Sequence, residues 1–138
     1  MKKTALTIVV LLMLSCSNDN GNSNDCEFEI VISDELYRKA PSDQLAINVI
    51  EINGNCLRID FSASGCSGDT WELSLVDSGI ILESLPPQRM LRLSLENKEL
   101  CDVLITKQLT FDISNLKVNG DSFLLNIANF EEKILFEY

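Results

Sequence analysis

A chain of 138 residues is long enough for one compact domain and short for two. Eleven Lys and Arg stand against 21 Asp and Glu, a net charge of −10, which argues against nucleic acid and favours cationic partners. There is no histidine, so Ser-His-Asp and Cys-His nucleophile systems are excluded, along with the usual neutral-pH base and most zinc or copper sites.

The N-terminus has the three parts of an export signal. Lys2 and Lys3 supply the positive start, and Ala5 to Leu14 form an apolar run broken only by Thr7. That run suits a signal helix and is too short for the ~20 residues of a membrane span. Met13-Leu14-Ser15-Cys16 resembles the lipobox of bacterial lipoprotein precursors. The resemblance implies that residues 1–15 are removed, that Cys16 is lipidated, and that its lipid holds the chain to a membrane. Ser17, rather than Asp, after the cysteine fits the outer membrane of a Gram-negative bacterium. Residues 17–24 contain no apolar side chain, which predicts a flexible tether over 16–25 ahead of a single domain over 26–138. Asp and Asn alternate in the tether as at the opening of an EF-hand, but without that loop's closing Glu no calcium site is expected. Two of the eleven basic residues lie in the signal, so the remainder carries nine against 21 acids, a net charge of −12.

Beyond the tether, alternation of apolar and polar residues predicts strands almost throughout. Phe28, Ile30 and Ile32 open the series. One capped helical turn follows over Asp34–Lys39, after Ser33 and before Pro41. Leu45 to Ile52, then Leu57, Ile59 and Phe61, then Trp71, Leu73 and Leu75 continue it, with Trp71 read as core. Gly79 to Leu85, Leu91 with Leu93 and Leu95, Leu109 with Phe111 and Ile113, Phe123 with Leu125 and Ile127, and Ile134 with Phe136 complete it. Asn53-Gly54-Asn55 and Asn119-Gly120-Asp121 read as hairpin turns and Asp77-Ser78-Gly79 as a third turn, while Pro86-Pro87 breaks a strand. Eight or nine short strands predict an all-β, antiparallel β-sandwich, with a small β-barrel second. Cys56, Trp71 and Cys101 suggest the immunoglobulin pattern, but the gap to Cys101 is short for that fold, so the expectation is Ig-like in architecture only.

With Cys16 lipidated, four cysteines remain: Cys26, Cys56, Cys66 and Cys101. An even number in a small exported domain predicts two disulfides, and three connectivities are open. Cys66–Cys101 with Cys26–Cys56 is favoured, because each cysteine lies at a strand end or loop that another strand can meet. A zinc site would need C-x-x-C or histidine, so neither metal nor cofactor is expected.

Ser64-Gly65-Cys66, Trp71-Glu72-Leu73, Glu83 to Gln88, Leu91 to Leu95, Cys101 and Phe111 to Ser114 together resemble a family of uncharacterised bacterial exported proteins and lipoproteins. The resemblance runs from about Leu57 to the C-terminus. It adds weight to a Cys66–Cys101 bond and implies no activity.

Catalytic patterns are weak. Ser114-Asn115-Leu116-Lys117 has S-x-x-K spacing, but that motif works from a helix turn that brings the lysine onto the serine, and this segment is read as the connection between two strands. Asp60, Asp69, Glu72 and Asp77 are close in sequence, as carboxylate pairs of a hydrolase are close in space, yet 21 acids produce such groupings freely. Two loops stand out as binding surfaces. One is Ala63 to Thr70, presenting Ser64, Ser67 and Asp69 beside Cys66; the other is the proline turn Glu83 to Met90, presenting Leu85 and Met90. The expectation is a lipid-anchored, noncatalytic envelope module binding a protein or glycan. The alternative is an inhibitor of a cationic hydrolase such as lysozyme, steered by charge. A carboxylate hydrolase comes last.

Overall fold

A computed structural model describes residues 26–42 and 44–138. The signal segment, Cys16 and the tether lie outside the described residues.

The domain is two facing sheets. The first has the order β1 (Phe28–Glu29), β7 (Val103–Asp112), β4 (Cys56–Gly65), β3 (Leu45–Asn53). The second has the order β2 (Val31–Ile32), β5 (Glu72–Leu82), β6 (Gln88–Glu96), β8 (Ser122–Ile127), β9 (Ile134–Glu137). Alternation places Leu57, Ile59 and Phe61 of β4 against Leu91, Leu93 and Leu95 of β6 in one core. Phe111, Phe123, Leu125 and Phe136 also belong to it, all effectively removed from water. Full burial of such side chains contributes about 1.5–3 kcal/mol each. Trp71 is core as expected, its ring 6.2 Å from that of Phe61. Among the described residues the two sheets stay open and do not close into a barrel.

The helix α1 (Asp34–Lys39) stands where its cap signals put it, with Ser33 Oγ accepting the Leu36 N–H. The Asn53-Gly54-Asn55 hairpin also forms, with Asn53 opposite Cys56 and Gly54 at φ +60°.

Four details differ from the sequence reading. The sheets are mixed, since β1 pairs with β7, β2 with β5 and β6 with β8 in parallel. Alternation reports which face a residue takes and carries no information on strand direction. The opening strand is split at Ile30, where the chain leaves the edge of one sheet for the edge of the other. Asp77-Ser78-Gly79 does not reverse the chain; it is a bulge within β5. There Asp77 Oδ1 accepts the Gly79 N–H at 2.6 Å and Ser78 Oγ the Ile80 N–H at 3.2 Å. Asn119-Gly120-Asp121 is no hairpin either, because β7 and β8 belong to different sheets and the segment carries the crossover.

The disulfides are Cys26–Cys56 and Cys66–Cys101, with Cα separations of 5.5 and 4.8 Å, the connectivity favoured from the sequence. Cys56 therefore does not join Cys101, and the immunoglobulin cysteine pair is absent. β4 runs from Cys56 to Gly65, so the two bonds sit at opposite ends of the sandwich.

Candidate functional site

The Cys66 loop is built around the carboxylate of Glu99, which arrives from the β6–β7 connection. Its oxygens accept the N–H groups of Cys66 (2.6 Å), Ser67 (3.1 Å) and Gly68 (3.0 and 3.1 Å) and the hydroxyl of Thr70 (2.9 Å). Successive amides can converge in this way because Gly68 takes φ +72°, left-handed backbone that favours glycine. A Cβ on Gly65 would lie 2.5 Å from Glu99 Oε2, so the loop closes only around a bare backbone. The Gly68 N–H bond, followed by those of Cys66, Thr70 and Ser67, outweighs desolvation and brings the Glu99 carboxyl down to about 2. On the other side of the loop, Lys107 Nζ donates to Gly68 O and lies 5.3 Å from the Trp71 ring centroid.

This geometry changes the reading of the loop. Ser64, Ser67 and Asp69 are exposed as expected. The Ser64 carbonyl accepts Asn97 Nδ2, however, and the Ser67 hydroxyl accepts the Asp69 N–H. The loop's amides are already spent on Glu99, which makes it a wall of a site. The opening itself lies beside it, a shallow groove of about 470 Å³ lined by Gln44, Ser64, Asn97, Glu99, Leu100, Cys101 and Asp102. Leu100 is 98% exposed at its rim, and Leu104, at 73%, follows in β7. The sequence reading missed Leu100, Val103 and Leu104. Their only signal was an apolar cluster out of alternation on either side of a cysteine.

The proline turn lies at the opposite end of the sandwich. Leu85 is 100% exposed at its tip, but Met90 is half-buried within β6 opposite Asn126, so the two do not make one surface. The turn is braced on itself, with Ser84 Oγ donating to Pro86 O and Gln88 Nε2 donating to Ser84 Oγ.

The catalytic patterns do not assemble. Asp60 lies beside Arg58 on the outer side of β4, while Asp77 is buried in a bidentate pair with Arg89 at 2.9 and 3.0 Å. Asp69 and Glu72 are at the groove end. The ammonium of Lys117 lies over the rings of Tyr138 and Phe136, and the Ser114 N–H donates to Asp112 Oδ1. Among the described residues no group of three or more His, Cys, Asp or Glu is placed to hold a metal ion. No helix among them is long and apolar enough to cross a membrane.

No protein-family model and no curated protein matches this chain. Solved structures share the fold. A Bacteroides vulgatus protein of unknown function (DUF1344) aligns over 80% of the chain with a TM-score of 0.54 and 18% identity. A NigD-like immunity protein from Bacteroides caccae aligns over 72% with a TM-score of 0.55 and 11% identity. A toxin-related protein from Parabacteroides distasonis aligns over 80% with a TM-score of 0.52 and 16% identity. The chain spans 56%, 52% and 59% of those proteins, little more than half of each.

Proposed function

Starting from this shared fold, we propose that the chain is a lipid-anchored, noncatalytic envelope protein that binds a basic protein and neutralises it, as an immunity protein or inhibitor does. One observation carries the reading. At the Cys66–Cys101 end, exposed Leu100 and Leu104 flank exposed Asp102 in the chain, and Asp69 is exposed in the Cys66 loop. The nearby cations are already engaged, Lys98 with Glu96 and Lys107 with Gly68 and Trp71. Apolar anchors within an acidic rim suit a basic surface carrying its own apolar contacts. Among the described residues that line the groove none is aromatic, so none offers a ring on which a sugar would stack, which favours protein over glycan. The likeness to an immunity protein and a toxin-related protein agrees with neutralisation.

The anchor suits this use. A ten-residue tether over 16–25 reaches at most about 35 Å from a lipid on Cys16. It would join the domain at Cys26, at the end opposite the groove, which leaves the groove at the far end of the domain from the lipid.

The test is capture from envelope extract by the full chain with its disulfides intact, at low and high salt, beside Leu100→Asp. The expected result is a basic protein held at low salt, released at high salt and lost by the variant. A neutral or acidic partner, salt-insensitive capture, or no capture at either salt overturns the reading.

A further inference from the structure

We infer that the outer edge of β7 takes an extended, Lys- or Arg-rich segment of the partner as an added strand; this rests on the proposed binding of a basic protein and says where and how it docks. Along a strand, the N–H and C=O of one residue point to the same side, and the side alternates. The Thr110 N–H points away from β4, to Glu27 Oε2 at 3.2 Å, while just past the strand the Ile113 N–H points toward β4, to Asn55 O at 2.9 Å. Leu104, Thr106 and Gln108 share the parity of Thr110, so their N–H and C=O groups also face outward. Among the described residues β1 covers only Phe111 and Asp112 of that edge.

The other edges are guarded. β3 carries a bulge between Ile47 and Val49, and β5 has β2, α1 and the bulge after Asp77 beside or within it. β9 is four residues long. β7, by contrast, pairs with β4 over ten consecutive positions without a register shift, leaving straight the edge that, among the described residues, lies beyond β1. A lysine commonly blocks such an edge, but Lys107, the only cation on β7, is folded over Trp71 with its ammonium on Gly68 O.

Side chains along the edge say what it would accept. Val103 and Leu104 are exposed, and Ile105 and Leu109 half-buried, so an added strand would bury apolar surface while satisfying three N–H and three C=O groups. Asp102 stands at one end of the edge and Glu27 and Glu29 at the other, which selects a cationic strand. A second copy of this chain is disfavoured, since each brings a net charge of −10.

The probe is an eight-residue peptide alternating lysine with valine or threonine, titrated into the full oxidised chain. Binding should slow amide exchange at Leu104, Thr106 and Gln108 at least tenfold while leaving Val103, Ile105 and Lys107 nearly unchanged. A peptide with glutamate for lysine should not bind. Gln108→Pro removes one outward N–H and spares the ladder to β4, so it should weaken binding tenfold or more. Asp102→Lys, which leaves the backbone intact, should also weaken it and flatten its salt dependence. Peptide binding without protection at those three amides, no peptide binding, or self-association through this edge overturns the inference. If a basic envelope protein is still captured by Gln108→Pro at full strength, the edge is wrong and the proposed function stands; if none is captured by the native chain, the function itself fails.

Discussion

Glu99 is the residue on which the groove end depends, and its protonation gives a direct test. The amide of Gly68 first, with those of Cys66 and Ser67 and the Thr70 hydroxyl, holds its carboxyl at about 2 against an ordinary 4.5. A folded value below the unfolded one means that the ionised carboxylate stabilises the fold. That contribution is complete above about pH 4.5 and is lost as pH falls toward 2. Glu99→Gln should therefore be less stable than the native chain at pH 7 in urea unfolding, with the gap closing between pH 4.5 and 2. An unchanged gap at pH 2 would assign the loss to packing. The sequence marked the Cys66 loop but not Glu99, because a carboxylate 31 to 33 residues from the amides it binds leaves no local pattern.

At the scale of elements, the bulge in β5 shows what alternation can and cannot convey. Leu91, Leu93 and Leu95 were legible because their strand is regular and one face is dry. Asp77-Ser78-Gly79 looked like a turn because Asp, Ser and Gly serve bulges as readily as reversals; only the partner decides. That partner is Arg89, whose guanidinium meets Asp77 while both are buried, at 6% and 0% exposure. Asp77→Ala leaves an unpaired buried cation and a freed Gly79 N–H, and should cost about 3–5 kcal/mol in urea unfolding. Replacing both partners, Asp77→Leu with Arg89→Met, should recover most of that loss. A double variant as weak as the single one would mean that the carboxylate's hold on the bulge matters more than the ion pair. The parallel pairings of β1, β2 and β8 were illegible for a related reason, since strand direction follows from which sheet the chain crosses to.

For the whole molecule, two disulfides at opposite ends of one central strand set where the chain is held. Cys66–Cys101 joins residues 35 apart, and Cys66→Ala with Cys101→Ala should lower stability by about 2–5 kcal/mol in thermal unfolding and speed amide exchange at Gly68. Faster exchange without a stability loss would confine the bond's role to the groove. The Cys26–Cys56 bond has a mechanical consequence. Tension entering the chain ahead of Cys26 would otherwise fall on β1, whose two residues pair only with Phe111 and Asp112 and would peel off one hydrogen bond at a time. The sulfur bridge passes that load to Cys56, the first residue of β4, which is paired along its length with β7 on one side and β3 on the other. Load then runs along a central strand and must shear two ladders at once, so a domain pulled from the N-terminal side of Cys26 resists at its strongest element instead of its weakest.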